Sequence, residues 1–307
     1  MRTVFEAIVA HGDRIEPSKG AATELTGMLL ELRNPRARLS RSETRGMSYS
    51  CLGELCWYLA GRKDLAFIEY YLPLYEKFAD AGEIFGAYGP RLINWRETAQ
   101  LSNVTSLLKR KKSSRRAVIQ LFDALDLVEE DKHADIPCTC TLQFMVRKDR
   151  LHMLTCMRSN DAFRGLPHDI FCFTMLQEIV ARELGVDIGE YKHAVGSLHL
   201  YEENMDAVKR FLDEGWQPTG SPMPAMPLGD PWKSISVLLR SEHAIRESGE
   251  LNFDSKDLNP YWADLIRLLQ VLRCKKDNNP EQIKLLRDQM DSNVYSVFIE
   301  KMLNQST

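Results

Sequence analysis

The sequence predicts an α+β fold: a mixed β-sheet packed with helices, carrying a helical C-terminal extension. Strand-like and helix-like segments mix without the regular strand–helix alternation of an all-parallel sheet. Two apolar stretches at 139–157, TLQFMV and RLHMLT, flank a polar RKD break and read as a hairpin. Beyond a run with five prolines at 215–232, only helical patterns follow.

The elements follow in order. Val4, Phe5, Ile8 and Val9 have helical spacing, and acidic residues arrive too early for a secretory leader. Residues 26–32 (TGMLLEL) read as a strand ended by Asn34-Pro35. Residues 50–60 and 64–79 read as helices, the first the more buried. Residues 116–122 (RAVIQLF) read as a strand. Residues 170–184 read as a long buried helix, with Ile170, Phe173, Leu176, Val180 and Leu184 on one stripe and Gly185 near its end. Residues 202–214 form a further helix. Residues 261–273 and 280–303 are helical, with Pro280 at a start position. The expected organisation is a catalytic domain over 1–220 and a mostly helical extension over 221–307 packed on it.

Composition narrows the function. The 307 residues, 44% of them hydrophobic, suffice for a large core. A net charge of −3 gives no overall basic field for nucleic acid or acidic membranes. No run approaches the 18 apolar residues of a membrane span. Seven cysteines, an odd number in mostly apolar contexts, indicate free thiols in a reducing, cytoplasmic setting. Cys138-Thr139-Cys140 is CxC without a second pair, so no metal is expected.

Four patches carry chemistry: IPCTC (136–140), MRSND (157–161), GLPHD (165–169) and GSLHLY (196–201). Singly, each has an ordinary reading as core cysteine, solvated turn or surface strand. Their order and spacing together resemble the thymidylate synthase family. Pro137-Cys138 stands before Gln143-Phe144, followed by Arg158-Ser159-Asn160-Asp161, Gly165-Leu166-Pro167-His168-Asp169 and His199-Leu200-Tyr201. Upstream, GELCWYLAG (53–61) is similar to the family's catalytic-glutamate helix, GAYG (86–89) to its tyrosine-glycine turn, and SRR (114–116) to its phosphate-binding arginine pair.

The resemblance implies a homodimeric enzyme acting on a pyrimidine nucleoside monophosphate, with 5,10-methylenetetrahydrofolate as co-substrate. Cys138 would add to C6 of the base, since a thiolate is both a strong nucleophile and a good leaving group. Cys140 is the competing thiol, and the preceding proline favours Cys138. Glu54 would organise water and proton transfer, and Tyr88 would support proton removal from C5. Arg158 would lower the thiol pKa and bind phosphate with Ser159. Arg115 and Arg116 would reach the phosphate of the other subunit, guanidinium forks matching phosphate geometry. The run LKRKKSSRR also admits a nucleic-acid or localisation reading, which the net charge disfavours. His199 and Tyr201 would bond the sugar, and Asp161, Tyr75 and Gly165 would line the folate side. Lys19 would stand for a loop arginine.

Five departures from the family pattern refine the expectation. Asp169 replaces an asparagine that reads the uracil edge. An ionised carboxylate accepts from a cytosine amino group but repels the C4 oxygen of uracil. Tyr75 and Phe78 stand where two tryptophans are usual, one of which shields an exocyclic methylene from water. The C-terminal region replaces a tail that closes over folate. Thr139 replaces a histidine, and Thr44 falls near a folate-contacting lysine. The expected activity is C5 hydroxymethylation of dCMP or CMP through a covalent Cys138–C6 adduct. The alternatives are a thymidylate synthase using dUMP, a C5-methylating dCMP enzyme, and a non-catalytic nucleotide- or RNA-binding relative.

Overall fold

The computed structural model describes residues 1–17, 19–40, 48–128, 130–215, 222–250 and 258–304. Among the described residues six strands form one sheet: β1 (Asp13–Ile15), β2 (Ala22–Leu32), β3 (Val118–Gln120), β4 (Thr139–Arg147), β5 (Arg150–Asp161) and β6 (Asp187–Tyr201). Their order is β1-β2-β6-β5-β4-β3. Neighbours are antiparallel except β5 and β6, which run parallel. Lys148 and Asp149 close the β4–β5 hairpin with φ of 50° and 52°. That left-handed pair makes the tight two-residue turn whose twist suits antiparallel strands.

The helices are α1 (Arg2–His11), α2 (Ser48–Leu59), α3 (Leu65–Tyr71), α4 (Tyr88–Ile93), α5 (Gln100–Arg110) and α6 (Ala124–Val128). They continue with α7 (Gly165–Glu183), α8 (Met205–Asp213), α9 (Trp232–Ser248), α10 (Pro260–Lys276), α11 (Pro280–Asp288) and α12 (Ser296–Asn304). The fold is α+β, as expected. Among the described residues no helix is long and apolar enough to cross a membrane.

A parallel β5–β6 pair needs a crossover, and α7 supplies it. From Leu166 to Arg182 every α7 residue except Ile170 is buried. A helix covered on all sides is a core helix rather than a one-striped surface helix. Most of its buried polar groups are therefore paired, with Gln177 Oε1 lacking a partner among the described residues. Gln177 Nε2 donates to the Leu151 carbonyl at 2.7 Å. Glu178 accepts from Arg36 at 2.8 Å and Arg38 at 2.5 Å. Burial pushes Glu178 up, but Arg38 and Arg36 outweigh it and hold the carboxyl below its ordinary range.

α2 packs against α3, α4, α7, α9 and α10. Gly53 permits the α3 contact: a Cβ there would lie 2.2 Å from Tyr71 Cγ. Tyr71 Oη then donates to Glu242 on α9 at 2.8 Å, and Arg246 completes the buried pair at 2.7 Å. The C-terminal helices thus share the large core of α2 and α7. A smaller cluster places Phe5, Ile8, Val208 and Phe211 of α1 and α8 against Val195, Leu198 and Leu200 of β6.

Several boundaries differ from the sequence expectation. The helix expected over 64–79 stops at Tyr71, and Pro73–Phe78 is a 3-10 turn. Proline cannot donate and disfavours helix in the residue before it. The strand expected over 116–122 shortens to β3. β5 runs on through Arg158-Ser159-Asn160-Asp161, so that motif is strand rather than turn. Gly165-Leu166-Pro167 is the first turn of α7, where a proline removes no intrahelical bond. Residues 280–303 divide into α11, a 3-10 turn and α12. Helices α4, α5, α6 and α9, strand β1 and the part of β6 before the GSLHLY motif were not anticipated.

Candidate active site

Cys138 stands immediately before β4, beside a register irregularity between Thr139 and Thr141. Such irregularities re-aim side chains at strand ends. The Arg158 backbone N–H donates to the Cys138 carbonyl at 2.9 Å. The Arg158 side chain donates to the carbonyls of Pro137 and Ile136 at 3.0 and 3.1 Å. Its Nη2 also lies 3.6 Å from Cys138 Sγ. The thiol pKa is nevertheless raised, to about 11. Burial dominates and Asp135 adds to the rise, while Arg158 and Lys19 pull the other way. The expected cation is in place and acts in the expected direction, but desolvation exceeds it. In the resting protein Cys138 is a thiol.

Lys19 lies 3.9 Å from Asp135 and 4.1 Å over the Phe78 ring. Burial pushes Asp135 up to about 6. Tyr88, at the start of α4, accepts from the Thr139 backbone N–H at 3.1 Å and from its hydroxyl at 2.9 Å. Thr139 thereby joins the Tyr88 phenol to the residue after Cys138.

Glu54 is the centre of a second group. It is only 4% exposed. Its Oε1 accepts from Tyr58 Oη and Tyr75 Oη, each at 2.8 Å. Its Oε2 meets His168 Nδ1 at 2.6 Å. Burial raises the carboxyl pKa, but His168 and the two phenols outweigh burial and hold Glu54 ionised. His168 is likewise opposed by burial, yet Cys51 and then Glu54 raise its pKa well above the ordinary imidazole value and favour the cation.

Asp169 follows on the same helical turn. It accepts from Asn160 Nδ2 at 2.6 Å. Its pKa rises to about 8, first through burial and then through the charge of Glu54. Asn160 and His168 oppose the rise, and Asp161 adds to it. The sequence reading took this carboxylate as ionised. Burial overturns that: near neutral pH the carboxyl keeps its proton. Asn160 Oδ1 is buried without a partner among the described residues. Gly165 stands over this polar floor; a Cβ there would lie 3.6 Å from Asp169 Oδ2 and 3.9 Å from Asn160 Oδ1.

The ends of β5 and β6 bring the remaining groups into register. Asp161 pairs with His199 and Ser159 with Ser197. Tyr201 pairs with Ala22, which draws β2 into the same rim. The His199 and Tyr201 rings meet edge to face, 4.9 Å apart. Asp161 Oδ1 accepts from the N–H groups of Phe163 and Arg164 at 2.8 and 3.2 Å, fixing the turn into α7. Burial raises its pKa.

A family model described as thymidylate synthase matches residues 4–239. The chain belongs to the thymidylate synthase family. It is 29% identical over 218 residues to a deoxyuridylate hydroxymethyltransferase of Bacillus phage SP01. That match covers 66% of this chain and 57% of the relative, so the chain spans less than two thirds of that protein's length.

For a thymidylate synthase family member, the placement of Tyr75 is informative. The position expected to lack a shielding indole delivers a hydroxyl to Glu54. Tyr75 also packs edge to face on Trp57 and Phe78, at 5.7 and 6.1 Å between centroids. Arg115 and Arg116 are exposed just before β3, and no ion pair holds either guanidinium among the described residues. Thr44 lies outside the described residues. Sequence reasoning passed over Tyr58, Asp135, Asn160 and His168 as site residues. Tyr58 was within reach, because it follows Glu54 at helical i, i+4 spacing. His168 and Asn160 sat inside the quoted motifs, without a signal for which partners they would meet. Among the described residues no group of three or more His, Cys, Asp or Glu side chains is placed to hold a metal.

Proposed function

We propose that the protein hydroxymethylates C5 of a cytidine monophosphate, dCMP or CMP, through a covalent adduct between Cys138 and C6. The supporting observation is the buried carboxyl of Asp169, held by Asn160, where the family usually carries an amide. A carboxyl that retains a proton can donate it to cytosine N3 and accept from the exocyclic amine. Cytosine N3 is basic, so the pair gains charge-assisted character as the proton shifts towards the base. Protonation at N3 also draws electrons from C6, where Cys138 attacks.

In this reading Cys138 loses its proton as Arg158 and Lys19 stabilise the thiolate, and adds to C6. C5 thereby becomes nucleophilic. The folate co-substrate supplies the one-carbon unit that C5 acquires. Half-buried Asp161 and Gly165, beside the unpartnered Asn160 Oδ1, fit a polar heterocycle edge on that side. Tyr88 takes part in removing the C5 proton. Glu54, with Tyr75 in place of an indole, admits and activates water at the exocyclic methylene. Water adds there, and expulsion of Cys138 leaves a hydroxymethyl group. Arg158 and Ser159 hold the phosphate, joined across a homodimer by Arg115 and Arg116, while His199 and Tyr201 hold the sugar.

The proton on Asp169 also favours a second reading. A neutral carboxyl can donate to the C4 oxygen of uracil and accept its N3–H, as an amide does. A uracil nucleotide would then be the substrate, as the name of the phage relative suggests for that protein. Incubation with 5-tritiated dCMP, CMP or dUMP and methylenetetrahydrofolate separates the readings. Tritium release from a cytosine nucleotide, a product heavier by one CH2O and little dihydrofolate are expected. Dihydrofolate formed in step with dUMP consumption would establish thymidylate synthesis instead. A hydroxymethylated dUMP product would establish the second reading.

A further inference from the structure

Glu54 has four lone-pair positions on its two oxygens, and the structure shows how three are used. Oε1 accepts from both Tyr58 and Tyr75, which fills it. Among the described residues Oε2 meets one partner, His168 Nδ1, at 2.6 Å. The far ring nitrogen of His168 lies 3.3 Å from Ser50 Oγ. The imidazole is thus held at both ends between two turns of α2, and is only 5% exposed. From these contacts we propose that Oε2 is the proton-accepting atom of Glu54, and that His168 is the positioning residue that sets its basicity. This rests on the hydroxymethylation reading and adds the atom and the group that control its water step.

The step balances as follows. The water oxygen bonds to the methylene carbon on C5 while one water proton passes to Glu54 Oε2. The π pair of the C5–methylene bond moves into the ring, forms the C5–C6 double bond and breaks the C6–sulfur bond. Cys138 leaves as thiolate. A histidine cation beside Oε2 keeps Glu54 charged before the step, because a neighbouring positive charge favours the ionised carboxylate. By engaging one lone pair of Oε2 it leaves the other to take the water proton. The other titratable groups facing the pair are Tyr58, Tyr75, Asp169, Cys51 and Cys172. Burial pushes both phenols and Cys172 up, so they stay neutral, and Asp169 ionises only near pH 8.

The test is the pH profile of product formation in single turnovers. His168→Phe removes the charge and both ring donors. Its rate is expected to fall about 100-fold at pH 7, within the range of positioned acid–base groups. The rate should climb back as rising pH ionises Glu54 without help, displacing the acid limb upward. The KM for nucleotide should stay within about twofold, because His168 bonds Glu54 and Ser50. His168→Asn restores a neutral donor, and should recover part of the rate while leaving the acid limb displaced. An acid limb unchanged in both variants would overturn the proposal. Should His168→Phe fail to fold, as judged by its melting transition, the limb of His168→Asn decides. The parent reading fails separately, if the wild-type product is methylated; a displaced limb for that product would still place His168 in control of Glu54.

Discussion

Replacing Asp169 by asparagine removes one titrating group while keeping nearly the same volume. The amide oxygen can still accept from Asn160, so the local geometry is retained. The carboxyl has a pKa of about 8 in the fold against an ordinary 3.8. Between these values the folded protein holds a proton that the unfolded chain has lost. Stability attributable to Asp169 therefore falls as pH rises through that window. At pH 7 the difference spans about three pKa units, a ceiling of about 4 kcal/mol at 1.36 kcal/mol per unit. Relaxation and water penetration reduce the cost of buried charge, so about 2 kcal/mol is the working magnitude. The variant should then melt about 4 °C above the wild type at pH 8 and close to it at pH 5. Melting curves of both proteins at four pH values supply the comparison, and Glu54 and Asp161 are common to both. A melting difference that is the same at pH 5 and pH 8 would refute the assignment of a proton to Asp169. The same substitution removes the transferable proton that favours cytosine N3, and should move base preference towards uracil by about tenfold. Competition between dCMP and dUMP for tritium release measures it.

The other substitutions test different contacts. Cys138→Ser should abolish tritium release yet bind nucleotide; surviving turnover would place the nucleophile elsewhere, with Cys140 the first candidate. Arg158→Ala should raise the Cys138 thiol further, because the guanidinium opposes the rise. Iodoacetamide labelling of Cys138 at pH 8 should slow severalfold, and unchanged labelling would remove Arg158 from thiolate stabilisation. Tyr75→Phe deletes one of the two hydroxyls on Glu54 Oε1 and should lower the turnover rate about tenfold, with a melting transition close to wild type. Asp126→Asn leaves Arg91, fully buried and bonded to Asp126 at 2.8 Å through both terminal nitrogens, without its counter-charge. Urea unfolding should show a loss of about 3–5 kcal/mol.

The sequence disclosed most where periodicity was strong or motifs were dense. The hairpin of β4 and β5 and the body of α7 follow from apolar spacing alone. Arg158, Asp161, Asp169 and His199 were visible as motif members, at the end of β5, the start of α7 and the end of β6. Helix α9 was not visible. Its apolar positions Ile235, Leu238 and Ile245 share their buried face with Glu242, and a proline-rich run precedes it. The partners of Glu54 were equally hidden. Tyr75 reaches it from 21 residues away and His168 from 114, on separate elements. The proton on Asp169 was beyond any sequence pattern, since it arises from desolvation and from the neighbouring charge of Glu54. Reading that residue as ionised was the natural error of treating a side chain without its surroundings.

The clamping of α2 has a kinetic consequence. Helices on every side of it, including α9 and α10 from the C-terminal region, make it part of one cooperative unit. Amide hydrogens of residues 52–59 therefore have no route to solvent short of unfolding that unit. In hydrogen exchange they should be among the last to leave, while the rim formed by Lys19 and the ends of β2 and β6 exchanges early. Ligands would then enter and leave past a yielding edge, against a wall that keeps its shape through each turnover.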